Sequence, residues 1–465
     1  MSAPLVWLVF PLGVAGLLLL AGNTRSAVRW GAGVALLLGL LAWRVPIGQP
    51  VPLVGDWGFR LDPQMRVLGR QLVLTDAMRP LLAWFFFGVA VWLGGAWAAR
   101  MEPSFVGLAL GVSTVLLMAL AVRPFLYAAL LVETAALLAV PLLSPPGSRA
   151  GNGLLRFLTF QTLGMLFILL TGWMLVGTET SLPGSALALR AGVLLGVGFA
   201  LLLGVFPFHS WMPMLTTEIH PYASAFVLTA VTTVIGAFGL GFLERYTWLR
   251  QSPLTYQWLV ALGVVMVALG GLLAAFQRHA GRALGYGVMA EVGLGLWAIG
   301  LGSAEGVTLF FALWPARVVL FALWALGLSG LGRRRGGLRY RTLAGVGRQY
   351  PWLTAAAVVP PLALAGMPWA AGFSARWALW QVGLTSWPML LGMLMGTVGL
   401  AAAAARLLGA LVVGQQAAPW RALEAADERL WVGVLMALML AFGMFPKGVW
   451  QHAQAMLAWL PHLSR

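Results

Sequence analysis

Apolar residues run through this chain in blocks of about twenty, separated by short gaps holding arginine, proline and glycine. A bilayer crossing needs about 20 mostly apolar residues. By that rule the pattern predicts helices near 3–22, 27–44, 80–99, 104–122, 124–143, 154–176, 185–206, 222–243, 257–276, 283–302, 306–331, 350–368, 373–413 and 430–446. The stretch 373–413 is too long for one span, and part of 373–386 is assigned to a broken twelfth helix. The fold class is therefore an all-α polytopic membrane protein of about fourteen helices.

Two stretches break the pattern inside predicted spans. Gly204-Val-Phe-Pro-Phe-His-Ser-Trp-Met-Pro213 carries Pro207, His209 and Pro213 within the seventh helix. Pro360-Pro361-Leu-Ala-Leu-Ala-Gly-Met-Pro368-Trp-Ala-Ala-Gly-Phe373 does the same in the twelfth. Irregular backbone at membrane depth survives where protein or a wet cavity satisfies it. Interruptions five helices apart predict two inverted repeats. The expected organisation is residues 1–103 with helices 1–3, 104–246 as the first repeat (helices 4–8), 247–414 as the second (helices 9–13), and 415–465 as helix 14 and a tail. The long loop at 45–79 reads as a small β-hairpin, expected on the periplasmic side. The first apolar stretch, near Pro4, has no basic leader and reads as a retained helix.

Composition narrows the class further. The chain is 61% hydrophobic and 9% charged, with mean hydropathy +0.89. A soluble domain carries about 25% charged residues, so a soluble fold is excluded. The net charge of +16 comes from arginines in the gaps, where they orient helices and meet anionic lipid. It is no nucleic-acid signature. Loops after odd helices hold Arg25, Arg29, Arg100, Arg149, Arg278, Arg282, Arg333, Arg334, Arg335, Arg339, Arg341, Arg348 and Arg421. That bias places both termini outside the cytoplasm, although the arginines of the 45–79 loop count against it. There is no cysteine, hence no thiolate ligand for zinc or an iron–sulfur cluster. The histidines lack ligand spacing, and the glycines of Gly281-Arg-Ala-Leu-Gly285 follow no strand and read as packing sites.

The candidate chemistry lies in charges at helix centres. Glu133 falls in the fifth helix, Glu291 in the tenth, Arg317 in the eleventh, Arg376 just past the second interruption and Arg406 within the thirteenth. Each costs at least about 2.5–3.5 kcal/mol unless paired or hydrated. Two readings stand side by side: an internal polar axis, or local Glu–Arg pairs that hold helices together. Arg406 has a third, snorkelling to the surface. His209 and Glu218, beside the first interruption, belong either to a proton relay or to the backbone groups freed there. Lys447 is the only lysine.

With these residues in view, the chain resembles the antiporter-like membrane subunits of respiratory complex I, relatives of Mrp-type antiporter and membrane-bound hydrogenase subunits. Phe206-Pro-Phe-His-Ser-Trp-Met-Pro213, then Pro221-Tyr-Ala-Ser-Ala-Phe226 and Ile235-Gly-Ala-Phe-Gly-Leu240, are similar to the family's PFHxWLPDAxxxAPxxxSAF and IGAYGL. Leu364-Ala-Gly-Met-Pro-Trp-Ala-Ala-Gly-Phe373 is similar to LAGIPPxAGF, and Gln277–Gly293 to QxDxKRLLAYSSISHMG.

The resemblance implies a proton-translocating fold in a multi-subunit membrane arm in a prokaryotic inner membrane. Its partners would be other membrane-arm subunits and lipids. Quinone, flavin and iron–sulfur clusters are expected in those partner subunits, with no cofactor in this chain. The departures are specific. Glu133 matches the family glutamate, but Leu202 and Val234 stand where the resemblance puts lysines. Arg317 and Arg376 replace further titratable groups, Glu291 the family histidine, and Met214 the aspartate after WLP. Lysine can release its proton when buried and arginine effectively cannot. The expectation is a subunit whose own proton path is degenerate. The alternative is an active proton or cation/proton subunit working through Glu133, Glu291 and water.

Overall fold

The computed structural model describes residues 1–20, 23–54, 57–67, 69–144, 151–175, 186–413 and 420–464. Arg149, the predicted end of the sixth helix and start of the seventh, and the boundary at 414–415 lie outside the described residues.

The chain opens with a π-turn, Leu5–Val9, running into α1 (Phe10–Leu19) and then α2 (Thr24–Arg44). Asn23 Oδ1 accepts from the Arg25 N–H at 2.8 Å and starts α2. The 45–79 loop holds two hairpins rather than one. β1 (Pro50–Val54) pairs with β2 (Trp57–Arg60), and β3 (Gln64–Val67) with β4 (Arg70–Val73), both antiparallel. Then come α3 (Arg79–Gly95), α4 (Pro103–Ala121) and β5 (Val122–Arg123), which extends the second hairpin through Leu72↔Val122.

The first half continues with α5 (Ala128–Leu138), α6 (Val140–Leu143), α7 (Asn152–Met174), α8 (Ala186–Leu202), α9 (Trp211–Glu218), α10 (Pro221–Arg245) and α11 (Thr247–Arg250). The second holds α12 (Pro253–Phe276), α13 (Ala280–Gly300), α14 (Ala304–Arg335), α15 (Tyr340–Leu343), α16 (Pro351–Leu364), α17 (Phe373–Gly383) and α18 (Trp387–Val412). α19 (Ala426–Met444) and α20 (Pro446–Met456) close the chain. The overlong stretch 373–413 thus resolves into α17 and α18.

Among the described residues ten helices are long and apolar enough to cross a bilayer, or eleven if α19 and the segment Pro446–Trp459, bent 79° apart, form one span. Leu5–Leu19, Ala186–Leu202 and Pro351–Leu364 are apolar but shorter. The molecule is an all-α polytopic membrane protein. α4, α10, α13 and α14 are almost wholly enclosed. α2, α7 and α18 keep exposed leucine stripes such as Leu36, Leu37 and Leu40, the face a membrane helix turns to lipid. With no water to drive helix association in lipid, close packing does it, and small residues permit it. At the α12–α18 crossing a Cβ on Gly271 would strike the backbone of Gly396.

Both interruptions end by the same device. α8 stops at Leu202, Gly204 turns left-handed (φ +59°), and the Val205 N–H reaches back to Ala200 O at 2.8 Å. α16 stops at Leu364, Gly366 is left-handed (φ +96°), and Met367 N–H reaches Leu362 O at 3.1 Å. This is the six-to-one closure that a left-handed glycine permits after a helix. The prolines sit differently from the predicted limits. Pro360 and Pro361 lie inside α16, and the irregular backbone begins only at Ala365. Their fixed φ suits a helix, while each withdraws the donor due to the carbonyl four residues earlier and crowds that carbonyl with its ring. Pro213 falls in the first turn of α9, where a missing N–H costs nothing. Pro207 and Pro368 lie in the irregular segments themselves.

The predicted tail folds as α20, which packs on α14 and α3. Its Trp450 Nε1 donates to Ser374 Oγ on α17 at 3.0 Å. Lys447 sits exposed on α20.

Candidate functional site

A buried cluster of three charges occupies the second half. Glu291 on α13, Arg317 on α14 and Arg376 on α17 are 2%, 4% and 1% exposed. Arg317 Nε approaches Glu291 Oε2 at 3.4 Å, and its Nη2 donates to the Glu291 backbone carbonyl at 2.5 Å. Arg376 Nη2 donates to Glu291 Oε1, closing an ion pair from the other side, and its Nη1 donates to Ala371 O at 3.2 Å. The second break builds this arrangement. Gly372 is left-handed (φ +78°), and any side chain there would strike the Arg376 guanidinium and Ala316. Gly295, one turn beyond Glu291, leaves room for Arg317 Nη2. Phe310 lies 5.8 Å from the Arg317 guanidinium carbon and offers its ring face to the cation.

Two arginines against one carboxylate leave a net charge of +1 if all three are ionised, and Arg376 Nε has no hydrogen-bond partner. A buried ion pair contributes little net stability because desolvation consumes most of the attraction; removing one member costs about 3–5 kcal/mol. Arginine holds its proton throughout. The cluster is thus suited to locking α13, α14 and α17 together and ill suited to passing protons through its cations.

The first half is filled differently. Glu133 on α5 is 9% exposed; its Oε1 accepts from Thr162 Oγ1 on α7 at 2.6 Å, and its Oε2 has no partner. Among the described residues no arginine pairs with it. Leu202 and Val234 are each 1% exposed. Leu202 fills the notch above Gly164, where a Cβ would lie 2.6 Å from its Cγ, and its carbonyl accepts from Gln161 Nε2 at 3.1 Å. Val234 borders a cavity of about 30 Å³ that also touches Ser113, Thr229, Thr233 and Arg317. That volume admits a water or two.

The other sequence candidates lie apart from both glutamates. Glu218, the last residue of α9, is exposed and accepts from the Gly153 N–H at 2.7 Å, capping the start of α7. His209 is half-buried in the turn Phe208–Ser210, its ring stacked on Phe206 with 5.6 Å between centroids. Its Nδ1 is enclosed without a partner. Arg406 is exposed on α18, donates to Ala275 O and lies over Tyr340. Thr232 Oγ1 returns to its own helix at Leu228 O.

The sequence pattern did not anticipate one network. Glu428, fully buried at the start of α19, binds Arg334 through both oxygens (2.6 and 3.1 Å) and Arg333 at 2.6 Å. Its signal was present as acid in the first turn of one helix and three arginines in the last turn of another, each matching its helix dipole. Among the described residues no group of three or more His, Cys, Asp or Glu side chains forms a metal site.

Residues 157–401 match a family described as "NADH:quinone oxidoreductase/Mrp antiporter, TM". The NADH-quinone oxidoreductase subunit N of Cutibacterium acnes is 29% identical over 48% of this chain and 44% of its own length. The chain spans less than half the length of the first curated relatives it matches. A chain of respiratory complex I from Thermus thermophilus, solved with bound NADH, superposes with a TM-score of 0.77 at 23% identity, covering 100% of both chains. A chain of the Mrp complex from Dietzia gives 0.81 at 15% identity over 99% of both.

Proposed function

We infer from one premise, that the chain belongs to the NADH:quinone oxidoreductase/Mrp antiporter family, that it is a membrane-arm subunit of a redox-driven, ion-translocating assembly in a prokaryotic inner membrane, and that its own proton path is degenerate. Its partners are other membrane-arm subunits, and the redox groups — quinone, flavin, iron–sulfur clusters — reside in subunits other than this one. The fold is read as fourteen helices in two inverted five-helix repeats. The matching glycine closures after α8 and α16 support that reading. The convergence of Arg100, Arg333 and Arg334 on Asp427 and Glu428 supports one arginine-rich face, and with it the reading that both termini lie on the opposite, non-cytoplasmic side.

The observation that carries the proposal is the contrast in titratable groups. A relay needs groups that accept and release protons near working pH. Glu133 faces a threonine, Leu202 and Val234 carry no proton, and Glu291 is held between two arginines. The assembly containing this chain, reconstituted in sealed vesicles, tests it. Glu133→Gln should leave the ratio of protons moved to electrons passed unchanged. A lower ratio from an intact assembly would make Glu133 a working relay group. The rewired path through Glu133, Glu291 and water has one observation in its favour, the small cavity joining Val234 to Arg317.

A further inference from the structure

A second site lies at the arginine-rich ends of the helices, away from both glutamates. A cavity of about 440 Å³ opens there between α9, α10, α13 and α14. Arg100, Thr217, His220, His279, Ser329 and Arg333 supply its polar lining, and among the described residues no carboxylate lines it. Asp427 and Glu428 pair with Arg100 (3.0 Å) and Arg333 (2.6 Å) but do not themselves line the cavity.

The backbone adds to the same field. His220 and His279 are the capping residues at the N-termini of α10 and α13, so two long helices direct their positive ends here. The opposing negative end, that of α14, is covered by Arg333, Arg334 and Arg335. His220 keeps an exposed edge; crowding by protein around its ring, and then Arg333, pull it below its ordinary value. Burial, and then Arg282 and Arg339, pull His279 below its ordinary value. Arg333 faces His220, and Arg282 and Arg339 face His279, although Arg333 is itself paired with Glu428. His279 Nδ1 is enclosed and without a partner. A cationic recess at two helix N-termini, on the arginine-rich face, has the chemistry that holds phosphate.

We propose that this cavity is a binding site for a phosphate group, held by Arg100 and Arg333 with His279 as a hydrogen-bond donor, and supplied either by an anionic lipid headgroup or by free phosphate. The occupant would tie α10, α13 and α14 together at the junction of the two halves.

Thermal unfolding of the full chain in detergent tests this with three probes: inorganic phosphate, a short-chain phosphatidylglycerol, and the diacylglycerol of the same chain length. Chloride at equal ionic strength is the baseline. A rise in Tm with phosphatidylglycerol but not with phosphate assigns the site to a headgroup. A rise with phosphate of equal size assigns it to the free anion. Either rise should fall at least several-fold in apparent affinity in His279→Gln, vanish in the Arg100→Gln/His279→Gln double variant, and persist in Arg100→Lys. No rise above the chloride and diacylglycerol controls, or an undiminished rise in His279→Gln, overturns the proposal. The single variant keeps the proposal open to refutation if the double variant does not fold.

Discussion

α8 and α16 stop alike, with a left-handed glycine two residues past the helix and an N–H reaching back five, yet the polar groups beside them share almost nothing. Around the first break the interior is neutral but for one glutamate that meets a threonine. Around the second, one glutamate and two arginines tie three helices together. Backbone requirements and electrostatic content therefore vary independently. The glycine closure is dictated by chain geometry and recurs in both halves, while the first half holds Leu202 and Val234 in its interior and the second Arg317 and Arg376.

The sharpest way to break this comparison is to remove the anion from the charged half. Glu291→Gln leaves two buried guanidinium groups uncompensated and should destabilise the protein by about 3–5 kcal/mol, read as a large fall in Tm or loss of folded protein. Replacing all three charges with apolar residues of similar volume should recover most of that loss. A small effect of Glu291→Gln would mean that water already screens the cluster.

Putting a lysine back in the neutral half comes next. Leu202→Lys should cost about 3 kcal/mol, because the position is packed against Gly164 and an ammonium there is either unsolvated or forced neutral. Val234→Lys should cost distinctly less, since its cavity can take water beside the new group. Equal costs at the two positions would remove the distinction between a dry site and a wet one. Glu428→Gln should cost about 1.5–3 kcal/mol through its lost charge-assisted bonds. It should leave the Glu291 cluster intact, as judged by additivity with Glu291→Gln. The smallest effect is expected from Glu133→Gln, within about 1 kcal/mol, since the amide still accepts from Thr162.

The all-helical, polytopic pattern, the two breaks and the identities of Glu291, Arg317 and Arg376 were legible along the chain, because hydropathy and proline or glycine placement are local signals; of the fourteen expected spans, ten or eleven are long enough to cross among the described residues. The meeting of those three side chains was not legible. Glu291 and Arg376 stand 85 residues apart, and helical periodicity says which face a side chain occupies without saying which helix it faces. Pro360 and Pro361 misled about where α16 ends because proline is compatible with a helical φ, and the residue that ends the helix is the left-handed Gly366. Glu218 read equally as a relay group or as a partner for backbone freed at the break, and its carboxylate instead accepts from Gly153 at the start of α7. α20 was not legible because its apolar face covers only part of a short helix.

The second break has a consequence for how the protein is made. Trp369 is held left-handed (φ +62°) with its carbonyl against Gly443 of α19, and Trp450 of α20 anchors Ser374. Both clasps come from segments that leave the ribosome after the break itself. During synthesis, the irregular backbone around Trp369 enters the membrane before these two contacts exist, so it waits for helices that follow some seventy residues later (Gly443 against Trp369). Nascent chains arrested before α19 should remain open to protease between α16 and α17, and protection should appear only once α19 and α20 have emerged.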